Sequence, residues 1–375
     1  MNRVLMLCNT VYQVIVATNL KFTVYDKCIV DIIISDHINN NIDLAKRIDN
    51  SGYFNEVFTA ETFNFARRKG KYNRKNFKEE IVFQLNRKKI FENIIKIKSK
   101  YDILLVSNFD EFSNALYEYN KNYLNPNIKL YLFEDGFSSY CVFGEYYVNR
   151  LRPNNIKKKI RTNLLKNKFM EDEILGHYVF NPSFMQWEAP FPCIEMDKID
   201  KNNKKLVTAL NKIFDYDKVE DKYDKPIIFF EESYYQEGID IDDIGIVEKI
   251  SSYVGKDKIM IKVHPRNKRN RFKELGYSTN SNTAIPWEII ILNNDFSNKI
   301  LISIASGSII MPYILFGIKT KSISLLKTFD IKFGETANKY NDFLINVIFK
   351  KNNDVVFMPN NLEELMNYIN ENGEN

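Results

Sequence analysis

With 375 residues and 45% hydrophobic content the chain is long enough for two cores, because single domains usually stop growing well before this length. Its 53 basic residues nearly balance 48 acidic ones, and a formal charge of +5 is too weak to imply nucleic acid as a partner. Cys8, Cys28, Cys141 and Cys193 are scattered without CxxC spacing, which excludes a disulfide framework or a zinc site as the organising principle.

The N-terminus runs directly into an apolar strand, with no basic leader, small-residue cleavage site or apolar run long enough to cross a bilayer. A cytoplasmic protein is therefore expected, with peripheral contact on the inner face of the cytoplasmic membrane left open. Short β-branched runs alternate from there with helix-period segments, the pattern of a parallel sheet covered by helices. Strands are predicted at residues 3–9, 28–35, 56–60, 101–107 and 129–134, and helices at 11–22, 42–49, 77–99 and 111–122. Between 146 and 221 the periodicity loosens into a basic stretch (Lys157, Lys158, Lys159, Arg161), a segment with Pro182, Pro190 and Pro192, and a polar helix over 198–214. This reads as the interdomain region.

A second alternating series then begins, with strands at 226–231, 258–263, 299–304 and 321–325. Helices are predicted at 243–254, 286–292, 308–316, 338–349 and 362–372. The expected fold class is α/β, two Rossmann-like doubly wound domains over 1–195 and 196–375, the last helix being a candidate to pack back on the first domain. Such halves take ligands at the carboxyl ends of their strands, in a cleft between them, so residues just after strands are the main suspects. No GxGxxG or GxxxxGK[ST] run supports a dinucleotide fold or a P-loop.

Five strand ends and one helix start carry chemistry-bearing residues. Phe133-Glu134-Asp135-Gly136 places two carboxylates and a glycine after an apolar strand. Alternation forbids both side chains from facing one way, so one of Glu134 and Asp135 is free to act as general base toward a sugar hydroxyl. Lys262-Val263-His264-Pro265-Arg266 puts one of only three histidines at another strand end, where an imidazole could donate to a leaving phosphate and Arg266 or Lys262 could add charge. Ser306-Gly307-Ser308 opens an apolar helix and could cradle a phosphate, or simply cap the helix. Pro286-Trp287-Glu288 offers Glu288 to the two hydroxyls of a ribose, or to the helix dipole. Asn9 and Gln13 after the first strand, and Glu232 after Phe229-Phe230-Glu231, complete the candidates. Asp240-Ile241-Asp242 opens a helix and reads as capping rather than as a metal-binding DxD.

Taken in order, Glu134-Asp135-Gly136, His264-Pro265 and Ser306-Gly307-Ser308 resemble the motif set of bacterial sialyltransferases. Leu7-Cys8-Asn9-Thr10-Val11-Tyr12-Gln13 and Pro286-Trp287-Glu288 resemble glycosyltransferase family 52, which includes lipooligosaccharide and capsule sialyltransferases. The resemblance implies a GT-B fold, a CMP-sialic acid donor, inversion at the anomeric carbon, and no metal or other cofactor. It implies Asp135 as the base, with Glu134 beside it. His264 would contact the CMP phosphate, the serine turn would hold the same phosphate, and Glu288 would reach the ribose. Pro265, Arg266, Gly136, Asn9, Gln13 and Glu232 complete the expected donor surroundings. The partners would be CMP-sialic acid and a cell-surface glycan acceptor, of lipopolysaccharide or capsule. Polysialyltransferases share the acidic-Gly and His-Pro motifs and form the closest rival reading; another GT-B transferase of capsule synthesis and a non-catalytic glycan- or nucleotide-binding protein are the others.

Overall fold

A computed structural model describes residues 1–142, 144, 170–218, 221–329, 331, 335–350 and 354–373. The basic stretch from Lys157 to Arg161 lies outside these residues. The chain divides into two compact units, Met1–Asp197 with Asn203–Phe214, and Lys198–Asn202 with Asp215–Asn375.

The first unit is a sheet of β1 (Arg3–Cys8), β2 (Ile29–Ser35), β3 (Val57–Ala60), β4 (Ile103–Val106), β5 (Lys129–Phe133), β6 (Ile174–Val179) and β7 (Cys193–Glu195), in the order β3-β2-β1-β4-β5-β6-β7. Every neighbouring pair is parallel. Burial on both faces explains why β1 is apolar at consecutive positions rather than alternating: Val4 to Cys8 are all shut off from solvent. Helix starts follow local chemistry, since Thr10, Asn76 and Asp110 accept the backbone N–H three residues on.

Two strands sit inside the segment that the sequence marks as interdomain. Gly176 and His177 interrupt the apolar run of β6, and β7 is a three-residue edge strand just after Pro192, so neither shows a strand period. The predicted helix over 77–99 divides at Asn86 into Phe77–Leu85 and Arg87–Ile94. The polar helix shortens to Lys204–Ile213 and belongs to the first unit, burying Leu206, Ala209, Leu210 and Ile213.

In the second unit β8 (Ile227–Phe230), β9 (Ile259–Lys262), β10 (Ser278–Thr279), β11 (Ile300–Ser303), β12 (Lys321–Ser324) and β13 (Val356–Phe357) run parallel in the order β10-β9-β8-β11-β12-β13. The two-residue strands β10 and β13 are too short to carry a sequence period. The last helix, Leu362–Gly373, buries Leu365, Met366 and Ile369 in the core of this unit. Among the described residues no helix is long and apolar enough to cross a membrane.

In each sheet the strand order reverses once, between β1 and β4 and between β8 and β11. Chain connections leave such a point in opposite directions and open a crevice at the carboxyl ends of the strands.

Candidate functional site

In the first unit β5 ends in Phe133, and pleating sends the next two side chains opposite ways. Glu134 turns inward and is fully buried. One of its oxygens accepts from the Tyr12 hydroxyl at 2.6 Å; the other accepts from the Tyr140 hydroxyl and, at 2.8 Å, from the Phe180 N–H. Both oxygens are thus engaged by the protein, and Glu134 braces the strand end.

Asp135 turns outward and is half-buried. Its Oδ1 accepts from Gln13 Nε2 at 2.5 Å, its N–H donates to Ser139 Oγ at 2.7 Å, and its carbonyl accepts from Ser138 Oγ at 2.6 Å. Burial pushes its carboxyl above the ordinary value, and the hydrogen bonds from Gln13 and Ser138 oppose that rise. Gly136 takes φ 60°, the left-handed turn that lets the chain leave the sheet; a Cβ there would lie 4.0 Å from the Tyr12 ring, so the backbone conformation rather than space favours glycine.

Asn9 and Gln13, expected among the donor surroundings, are both buried within the first unit. The Asn9 N–H donates to Gln13 Oε1 at 2.6 Å, which orients the amide so that its Nε2 faces Asp135. Gln13 therefore positions a carboxylate. Of the groups that support Glu134, Tyr12 and Phe180 come from segments distant in the sequence and Tyr140 from the following turn, and none carries a signal that points to this contact. Asp110 follows a strand as Asp135 does and has Glu111 beside it, but its place as the cap of a helix accounts for it without a ligand, so sequence reasoning passed it over.

In the second unit His264 follows β9 and is half-buried. Its Nδ1 accepts the Arg266 N–H at 3.2 Å, which leaves the ring proton on Nε2 as a donor. Burial, with the Arg266 and Lys262 charges adding to it, pulls its pKa down to about 4, so the ring is neutral near pH 7. Its own N–H points to Glu231 at 3.4 Å, and buried Glu231 in turn pairs with Arg271 at 3.1 Å.

The cation at this strand end is Lys262, not Arg266. Pro265 is exposed, and the Arg266 side chain, 71% exposed, pairs with Glu237 at 2.7 Å on the surface. Lys262 is only 6% exposed, and among the described residues its ammonium makes no hydrogen bond. Burial lowers its pKa to about 8 against the pull of Glu288 and Asp221. Glu288 opens the helix Trp287–Asn293, half-buried, and burial raises its carboxyl above the ordinary range.

The predicted helix over 308–316 is a 3₁₀ turn, Gly307–Ile310, followed by a six-residue α-helix, Met311–Phe316, with Pro312 in its first turn. Ser306 caps the turn by accepting from the Ser308 N–H at 3.2 Å, and its hydroxyl donates to that of Ser308 at 3.0 Å. A short tight turn carries little helix dipole, so any phosphate contact here rests on these two hydroxyls and on Lys262 and His264. Trp287 ties the two motifs together, its Nε1 donating to the Ser308 carbonyl at 2.9 Å.

Glu232 sits across the β8/β11 reversal, accepting from the Ala305 N–H at 2.8 Å. Burial raises its pKa to about 7, although hydrogen bonds from Tyr234 and the turn oppose the rise. Its contact with Ala305 ties it to the serine turn. Phe229 and Phe230 are core residues, and Asp242 caps its helix by accepting from the Gly245 N–H at 2.9 Å.

A model of the family described as Alpha-2,8-polysialyltransferase (POLYST) matches residues 4–325. No curated protein matches the chain. Among solved structures, the spinosyn forosaminyltransferase SpnP is similar at 9% identity, covering 99% of this chain and 91% of its own, with a TM-score of 0.53. MurG of Acinetobacter baumannii (8% identity, 99% and 90% covered, TM-score 0.46) and the UDP-GlcNAc 2-epimerase of Methanocaldococcus jannaschii (13%, 100% and 93%, 0.46) are more distant in shape. At these identities the likeness is one of fold, and the fold is GT-B.

Proposed function

From the premise that the chain belongs to the alpha-2,8-polysialyltransferase family, and is thus a sialyltransferase-type glycosyltransferase, we propose that it moves sialic acid from CMP-sialic acid to a hydroxyl of a sialylated cell-surface glycan. The observation that carries the reading is the division of labour at Glu134-Asp135: one carboxylate is consumed by three protein donors, while the other is held half-buried by Gln13.

In this reading the acceptor oxygen attacks the anomeric carbon as its proton passes to Asp135, and the bond from that carbon to the phosphate oxygen breaks with inversion. Negative charge grows on the departing CMP phosphate. Neutral His264 supplies an N–H donor and Lys262 a buried cation, both worth more in a desolvated site than in water. Ser306 and Ser308 add hydroxyls, and Glu288 is placed to accept from a ribose. A monophosphate leaving group met by these residues needs no metal.

The family match favours an acceptor that already ends in sialic acid, hence chain extension. The motifs shared with glycosyltransferase family 52 keep a lipooligosaccharide or capsule terminus as the second acceptor class. The test is CMP release from CMP-sialic acid in EDTA, with lactose- and sialoside-terminated acceptors, for wild type, Asp135→Ala and His264→Ala. Release that depends on the sialoside, survives EDTA and collapses in both variants is expected, with products of increasing length. Turnover of a UDP- or CDP-sugar instead would overturn the donor assignment and leave the fold untouched.

A further inference from the structure

The carboxyl edge of the first sheet holds a second polar group, beside Asp135, that the roles given above leave unused. It lies at the strand reversal, where β1 is followed by Asn9 and β4 by Ser107 and Asp110. Asn9 is 5% exposed; its Nδ2 donates to Asp110 Oδ2 at 3.4 Å, and its Oδ1 is buried without a hydrogen-bonding partner among the described residues. His37 follows the neighbouring strand β2. Its ring stands edge-on to Phe63 with centroids 4.8 Å apart, and its Nε2 is buried and equally unmet, as is Ser107 Oγ.

Each unmet buried polar atom costs about 1–3 kcal/mol, and three of them stand at this one sheet edge. It is what a site built for hydroxyl groups looks like before they arrive. Asp110 Oδ1 already accepts from the Ser113 N–H at 2.6 Å, which fixes the carboxylate, and Asp36 is consumed by the N–H groups of Thr62 and Phe63 at 2.7 and 2.8 Å. Asp36 and Asp110 both act on the His37 ring, with Arg67 the one cation that it senses. Such surroundings repel a carboxylate or phosphate and suit neutral hydroxyls.

We propose that the crevice lined by Asn9, His37 and Asp110 binds the uncharged, hydroxyl-bearing end of the acceptor glycan. Asn9 Oδ1 accepts from one hydroxyl, while His37 Nε2 and Asp110 hold its neighbour. The inference rests on the reading of the first unit as the acceptor side. It also links binding to chemistry, because the Asn9 N–H orients Gln13 and Gln13 orients Asp135.

The experiment compares wild type with His37→Phe, which keeps the ring against Phe63, with His37→Gln, and with Asp110→Asn, which still caps the helix. Binding of an α2,8-linked sialic acid trimer is followed by saturation-transfer NMR without donor, alongside the same trimer whose terminal polyol chain has been shortened by mild periodate and borohydride. The intact trimer is expected to bind through its terminal polyol protons. His37→Phe and Asp110→Asn should weaken it about tenfold, the loss of one hydrogen bond, with His37→Gln recovering most of it. The shortened trimer should bind as weakly to wild type as the intact one does to His37→Phe.

Acceptor KM should rise in step, with kcat, donor KM and acceptor-independent hydrolysis of CMP-sialic acid within twofold of wild type. Equal binding of the two trimers, or a fall in kcat without a change in acceptor KM, would overturn the inference. A wild type that binds the trimer through its polyol but never consumes CMP-sialic acid would sink the donor assignment and leave this site standing.

Discussion

The two strand reversals occupy the same topological position, yet the protein fills them differently. At β8/β11 the crevice is bridged from within, Glu232 reaching over to the Ala305 N–H. At β1/β4 the corresponding position is held by Asn9 and Asp110, with Asn9 Oδ1 and Ser107 Oγ left unmet among the described residues. Charge divides them as well. The second edge offers a buried lysine and a neutral histidine donor, suited to an anion; the first offers carboxylates and amides, suited to hydroxyls and to taking up a proton. Topology says where ligands go in both sheets, and side-chain chemistry says which ligand.

The sharpest break of this comparison is removal of the outward carboxylate. Asp135→Asn should cut acceptor-dependent transfer about 10²–10⁴-fold, the usual worth of a positioned base, with donor KM unchanged in steady-state assays. An equal loss on Glu134→Gln without a fall in Tm would mean that the two carboxylates have been assigned the wrong way round.

Next in size is the cation at the second edge. Lys262→Met should raise donor KM roughly 10- to 100-fold, the worth of a charge-assisted hydrogen bond, whereas Arg266→Ala should stay within about twofold because its charge is spent on the exposed Glu237 pair. Lys262 titrates at about 8, so wild-type donor affinity should weaken as pH rises through that value while Lys262→Met stays flat.

A smaller effect tests the orienting amide. Gln13 donates to the ionised form of Asp135 and so lowers its pKa; without it the carboxyl rises further. The acidic limb of the kcat profile should therefore move to higher pH in Gln13→Met. The smallest is a stability effect at Glu232. Its folded pKa of about 7 lies above the ordinary 4.5, so the folded chain holds a proton that the unfolded chain has lost, and stability falls as pH rises between those values. Glu232→Gln, which can still accept from Ala305, should lack that fall, and the Tm difference between the two proteins should grow in the variant's favour from pH 5 to pH 7.

Much of the fold is legible because buried parallel strands are written as continuous apolar runs: β1, β2, β4, β5, β8, β9, β11 and β12 all stand where that pattern places them. The strand β6 and the short edge strands β7, β10 and β13 were not legible, since a strand interrupted by Gly176-His177 or only two or three residues long has no period to read. The split at Asn86 and the 3₁₀ turn at Gly307–Ile310 escaped for a related reason: helix period persists across a short break, and nothing local says which hydrogen-bond ladder wins.

By itself the sequence determined that two parallel α/β halves exist and that Glu134-Asp135, His264 and the serine turn lie at strand ends. These follow from local chemistry, namely apolar period and strand alternation. Only the tertiary structure decided that Glu134 is the buried member of its pair, that Gln13 serves Asp135, that Lys262 rather than Arg266 is the cation at its strand end, and that Asn9, His37 and Asp110 meet. Burial and hydrogen-bond partners come from strands that pair across up to a hundred residues, and a polar side chain's role is set by which of those partners reaches it first.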